Sequence, residues 1–224
     1  MKILIKFPTL GRPKQFFETL YKYYKLANNY KDIKCIVSID ENDTTMNNNA
    51  VIHGLKTYPN LTLYIDTSNS KIHAINRDIN NFKQNWDILL LASDDMVPLI
   101  KGYDDIIRND MKNNFNDLDG TLWYNDGYQR DKLNTLSILG YNYYKRFNYI
   151  YYPGYKSVYA DNEFTEVSQL LSKTVYNNNV IIEHQHPDYG YNKQDNIHIK
   201  NFKNLEHDKS LYVERKQKNF FIDV

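Results

Sequence analysis

Short apolar runs alternate with amphipathic stretches through the first half of the chain. ILIKF (3–7), KCIVSID (34–40), LTLYID (61–66) and DILLLAS (87–93) are compact apolar segments of strand length. Between them, PKQFFETLYKYYKLA (13–27) opens on a proline and repeats its apolar residues at helical spacing. MNNNAVIHGLKTY (46–58) carries a weaker form of that pattern, and SKIHAINRDINNF (70–82) a third, with Ser70 placed to cap it. Strands separated by helices of this length predict right-handed βαβ units and a mostly parallel central sheet covered on both faces.

The second half is less regular. PLIKGYDDIIRNDMKN (98–113) predicts a helix, GTLWYND (120–126) a strand, and NTLSILGYNYYKRF (134–147) a connection with a short helix near its end. DNEFTEVSQLLSK (161–173) starts with acids and continues at helical spacing, which puts carboxylates at a helix N-terminus, where they are stabilised. NVIIEHQHP (179–187) reads as a strand running into two histidines, and NLEHDKSLYVERKQKNF (204–220) as a C-terminal helix.

Composition narrows the functional classes. The 224 residues are 42% apolar, enough for a substantial core, and the formal net charge of +1 gives no overall field of the kind dedicated nucleic-acid binders carry. The single cysteine, Cys35, lies in an apolar run and cannot form an internal disulfide, which fits a reducing compartment and a buried thiol. MKILIKF is too short for a signal sequence and no window reaches membrane-helix length, so the expectation is a soluble, cytoplasmic protein with no membrane span. The 21 tyrosines are read as coding bias before function.

In an open α/β sheet, ligands collect beyond the carboxyl ends of the strands. FPTLGRP after the first strand offers Thr9, a glycine turn and Arg12; the second ends at Asp40; the fourth runs through LLLASDDMVP into Ser93, Asp94 and Asp95. Each element alone is weak, since acids in turns are commonly solvated and a bare SDD could cap a helix starting at Pro98. Together they suit a nucleotide diphosphate with a divalent cation between carboxylate and phosphate. The glycine fingerprints of dinucleotide-binding and P-loop proteins are absent.

FPTLGRP, VSIDEND, SKIHAIN, LLLASDDMVP and DNEF, in this order, resemble a GT-A fold glycosyltransferase of the family 2 type, over most of the chain. The resemblance implies one Rossmann-like domain, with residues 1–98 binding the nucleotide sugar and 99–224 binding the acceptor and carrying catalysis. It implies a nucleotide-diphospho-sugar donor, typically a UDP-sugar, with Mn²⁺ or Mg²⁺. Pro8, Thr9, Arg12 and Asp40 would then hold the nucleoside, and Ser93-Asp94-Asp95 would stand for the DxD motif, with Asp95 the metal ligand and Asp94 a supporting contact. Strand alternation puts Ser93 and Asp95 on one side and Asp94 on the other. The chain departs from the fuller D-x-D-D pattern at Ala92. The usual A-R-N helix reads Ala74-Ile75-Asn76-Arg77-Asp78, so Asn76 is kept and the preceding arginine is not; Lys71 or Arg77 is left for the diphosphate.

On the acceptor side, Asp161 matches the second position of the family's E-D motif and is the first choice of general base, with Glu163 second because the register is ambiguous. Without the resemblance, both acids would read as helix-terminal residues. His184 and His186 stand two apart at a strand end, and one of them is expected to ligate the metal. Trp123, Tyr124, Tyr128, Tyr143 and Tyr144 could stack on an acceptor sugar, or be ordinary core and surface aromatics. The reading is thus a metal-dependent, inverting glycosyltransferase whose acceptor, a glycan, lipid-linked saccharide, protein or modified nucleic acid, is open. The rivals are a sugar nucleotidyltransferase, whose GxGxR loop is missing, a glycoside hydrolase, and a non-catalytic sugar-nucleotide-binding protein of the same fold.

Overall fold

Residues 1–185, 190 and 203–222 are described by a computed structural model. β1 (Ile3–Thr9), β2 (Ile33–Asp40), β3 (Leu61–Asp66) and β4 (Ile88–Leu91) are parallel and lie in the order β3-β2-β1-β4. α1 (Pro13–Leu26), α2 (Asn49–Leu55) and α3 (Lys71–Asn76) fall between them, as the apolar spacing predicts. Pro13 occupies the first turn of α1, where its missing N–H costs nothing, and the Ser70 hydroxyl caps α3 by accepting from His73 N–H at 3.0 Å.

Alternation along β1 builds the two layers. Ile3, Ile5 and Phe7 pack with Phe16, Leu20 and Tyr23 of α1 on one face, and Leu4 packs with Ile36, Ile72, Ile75 and Leu89 on the other. Lys6 falls on that second, otherwise apolar face. It is fully buried, and it is tolerated because its ammonium meets the Ser38 hydroxyl and lies 3.5 Å from Asp78.

The sheet continues through β7 (Ile138–Gly140), β6 (Thr121–Tyr124) and β8 (Thr174–Asn177), with β7 the one antiparallel member among the seven strands. The sequence pattern predicts β6 but neither β7 nor β8, which are three and four residues long and gain their strand character from pairing partners far away in the chain. α5 (Tyr141–Phe147) and α6 (Ala160–Leu170) follow the expected order, and the C-terminal helix α7 spans Leu205–Gln217.

Two expectations are corrected. The helix predicted from Pro98 begins only at α4 (Tyr103–Asn114), because Met96–Pro98 is a strand, β5, paired antiparallel with β9 (Ile182–His184). The intervening turn closes at Gly102, whose φ of +80° and 2.6 Å clearance from the Asn28 amide at a would-be Cβ both require glycine. The helix predicted to reach residue 82 stops at Asn76: Arg77 is extended and Asp78 takes φ +76°, turning the Asp78 carboxylate under the sheet toward Ser38 and Lys6.

Candidate active site

The parallel strands β1, β2 and β4 end on the same side of the sheet, and most of the chemistry-bearing residues gather there. After β4 the chain turns out of the sheet, the Ser93 hydroxyl donates to one Asp95 oxygen, and Asp94 faces the other way to pair with Arg12 at 3.2 Å. The Thr19 hydroxyl of α1 fixes this turn by donating to the Asp94 carbonyl at 2.7 Å.

The short β5–β9 ribbon brings a histidine to the acid. Met96 is opposite His184, and Gln185 N–H donates to the Asp95 carbonyl at 2.7 Å, so His184 Nε2 stands 3.7 Å from Asp95 Oδ2. On its other side, His184 Nδ1 lies 3.7 Å from Oδ2 of Asp126, just beyond β6. Burial disfavours charge on all three groups, but each is outweighed by its neighbours. His184 is raised to about 9 by Asp126 and Asp95, Asp126 is lowered to about 2 by His184, Thr135 and backbone amides, and Asp95 is held well below the carboxylate range by His184 and Ser93. His186 lies outside the described residues.

Asp95 and His184 form a carboxylate–imidazole pair suited to Mn²⁺-class ions. Donor atoms each about 2.1 Å from one ion can lie up to about 4.2 Å apart, so the 3.7 Å separation admits a shared ion. Among the described residues no third His, Cys, Asp or Glu completes a cluster around the same point. The described residues thus supply two candidate ligands, one carboxylate and one imidazole.

Asp161, in the first turn of α6, is coupled electrostatically to Lys71 and His184, which places it on the same side of the molecule. Burial raises its carboxyl above the ordinary aspartate value despite Lys71. Lys71, exposed at the start of α3, lowers both Asp95 and Asp161 through its charge. Glu163 is two residues on, about 200° around the helix, and is committed elsewhere. It takes both Arg215 Nε and Nη2 at 2.8 Å and the Tyr155 hydroxyl at 2.8 Å, in the buried layer under α7. The expectation that Glu163 serves as a second candidate base is corrected by this occupancy.

The nucleoside side is similarly sorted. Thr9 Oγ1 is buried with no hydrogen-bond partner among the described residues, and Pro8 beside it is half-buried at the end of β1. Asp40 lies 3.6 Å from Arg77, whose guanidinium also donates to the Ile39 carbonyl at 2.8 Å, so Arg77 braces the β2 end. Arg12 holds Asp94. Asn76 departs from its expected ligand role: its amide accepts from Ile150 and Tyr151 N–H at 2.9 and 3.2 Å and donates to the Tyr151 carbonyl at 2.6 Å, bracketing the segment before α6. Trp123, Tyr124, Tyr143 and Tyr144 are core residues, and of the five aromatics only Tyr128, 53% exposed, faces solvent.

Asp126 was not among the sequence candidates. Its signal was the Asp-Gly pair closing a predicted strand, the same strand-end position that singles out Asp40 and Asp95. Asp78 carried no local signal, since its role depends on Lys6 and Ser38 far away in the sequence.

No family model and no curated protein matches the chain. Solved structures do. The mannosyltransferase PcManGT from Pyrobaculum calidifontis, in complex with GDP-Man and Mn²⁺, superposes with a TM-score of 0.67 at 15% identity, over 85% of this chain and 58% of that one. TarS 1-349 of S. aureus in complex with UDP-GlcNAc gives 0.63 at 14% identity, over 81% and 57%. The 4-diphosphocytidyl-2C-methyl-D-erythritolsynthase from Anaerococcus prevotii DSM 20548 gives 0.53 at 12% identity, over 84% and 92%. The chain thus spans just over half the length of the two glycosyltransferase chains. With β3-β2-β1-β4 parallel, β7 antiparallel and acids at the β4 end, this chain has the GT-A-like fold of those glycosyltransferases.

Proposed function

We propose that this protein is a metal-dependent glycosyltransferase that moves a sugar from a nucleotide-diphospho-sugar, a UDP-sugar in the first instance, to an acceptor hydroxyl with inversion. The observation that carries the reading is the pairing of Asp95 with His184 at the β4 end, with Lys71 and Asp161 near enough for charge to act between them and this pair. The fold neighbours bound to GDP-Man with Mn²⁺ and to UDP-GlcNAc support it.

Pro8, Thr9 and Asp40 would line the nucleoside end, with Arg77 steadying Asp40 and Arg12–Asp94 closing the turn beneath. Asp95 and His184 would hold Mn²⁺ or Mg²⁺, which, when bound, neutralises negative charge developing on the diphosphate leaving group. Lys71, exposed and close enough for its charge to act on Asp95, would add positive charge toward the diphosphate. Asp161 would accept the acceptor hydroxyl proton as the new bond to C1 forms, and a carboxyl raised by burial is better matched to that task than an ordinary aspartate. With Glu163 committed to Arg215, Asp161 is the one that remains of the two candidate bases, which favours a single displacement and inversion; a product retaining the donor's anomeric configuration by NMR would overturn that part.

A sugar nucleotidyltransferase is the second reading, favoured by the synthase neighbour that matches over nearly its whole length. Calorimetry with UDP tests the first reading at its metal site: binding should strengthen with Mn²⁺, fall with EDTA, and lose its Mn²⁺ dependence in Asp95→Ala. Unchanged Mn²⁺-dependent binding in that variant would reject the metal role.

A further inference from the structure

The metal-site reading rests on His184, at the end of a three-residue strand, and the neighbour facing its Nδ1 is Asp126. Its carboxylate is 2% exposed as a residue and is itself rigidly held. Oδ1 accepts from the N–H groups of Tyr128, Gln129 and Arg130 at 2.8, 2.6 and 3.3 Å, and Oδ2 accepts from the Thr135 hydroxyl at 2.7 Å. The remaining direction of Oδ2 is toward His184 Nδ1, 3.7 Å away. The backbones are joined as well, because His184 N–H donates to the Asp126 carbonyl at 2.9 Å.

The residues therefore form a line: Asp95, His184 with Nε2 toward it, and Asp126 against Nδ1. A histidine that ligates through one ring nitrogen needs its other nitrogen held by an acceptor, which fixes both ring plane and tautomer. Resting on the proposed metal site, we infer that Asp126 is a positioning residue, whose carboxylate orients His184 so that Nε2 is presented beside Asp95 to a divalent cation. The 128–130 amides serve this arrangement in turn by holding Oδ1 of Asp126.

The two oxygens of Asp126 have separate jobs, and this makes a clean test possible. Asp126→Asn keeps an oxygen for the three loop amides and replaces the one facing His184 by an NH₂ group that cannot accept from Nδ1. Thr135→Val removes the hydroxyl from the same loop and leaves the carboxylate facing His184. Mn²⁺ titrated by calorimetry, alone and with UDP present, should bind Asp126→Asn about 10–100-fold more weakly than the parent, with circular dichroism unchanged, while Thr135→Val stays within about threefold. Equal affinity in Asp126→Asn, or an equal loss in Thr135→Val, would overturn the inference and leave the metal site standing. Absence of Mn²⁺ binding by the parent protein, or binding undiminished in Asp95→Ala, would instead reject the metal site and the inference with it.

Discussion

Asp161 and Glu163 are two residues apart in one helix and sit in different surroundings, Asp161 under the charge of Lys71 and Glu163 bound to Arg215. Asp161→Asn should leave UDP binding intact and lower turnover by about 10²–10⁴-fold, the usual contribution of a general base. Glu163→Gln should do the reverse, lowering the unfolding midpoint while turnover per folded molecule stays within a few fold, since its carboxylate holds Arg215. A pH profile gives a second handle. Because the raised Asp161 carboxyl must be ionised to act, activity should fall as pH drops through a point above the ordinary aspartate range, and Asp161→Asn should lose that limb. Lys6 provides a stability counterpart. Burial lowers it from 10.5 to about 8 even though Asp78 works against the shift, so between those values the unfolded chain binds more protons than the folded one. Lys6 therefore adds a stability gain as pH rises from about 8 to 10.5, and urea midpoints across that window should show a slope that Lys6→Met loses.

Elements differ in how much of them is written locally. The α1, β1, β2 and β4 segments are legible because each buries a pattern complete within its own residues: continuous apolar strands and a helix with Phe16, Leu20 and Tyr23 on one face. β5 and β9 are not. Met96–Pro98 follows an acid pair and precedes a proline-led helical pattern, and it becomes a strand because Ile182–His184 pairs with it. That non-local pairing is also what sets His184 against Asp95, so the site's least predictable element is the one that assembles it. α7 acts on the acceptor side in a comparable way. Arg215 pairs with Glu163 and lies 3.4 Å from the Tyr152 ring centroid, and Asp208 accepts from the backbone N–H groups of Lys156, Ser157 and Val158 at 2.8–2.9 Å. Arg215→Ala leaves the Glu163 carboxylate buried without its cation and should cost about 3–5 kcal/mol in denaturant unfolding. A loss below about 1 kcal/mol would show that α7 does not brace α6.

At the scale of the molecule, a parallel sheet puts the loops after β1, β2 and β4 on one side, so the acids at the strand ends could be picked out as site candidates from strand order. Strand order marked Asp95, and the family resemblance marked Asp161, whereas Arg12, Asp94 and Asn76, expected at a ligand, are engaged in the fold with one another or with backbone. Residue type and order carried the first result; the second depended on side-chain partners tens of residues away, which no local pattern encodes. Cys35 follows the simpler rule, as a fully buried thiol pushed up to about 12, and it should react with a thiol reagent only after unfolding. The central claim, transfer of a sugar from a nucleotide donor, is tested most directly by incubating the protein with UDP-, GDP- and dTDP-sugars and Mn²⁺ without acceptor, and identifying the nucleotide product. A sugar transfer of this kind should give slow release of a nucleoside diphosphate and free sugar from one donor, abolished by EDTA and by Asp95→Ala. Cleavage within the diphosphate to a nucleoside monophosphate, or release that persists in EDTA, would contradict it.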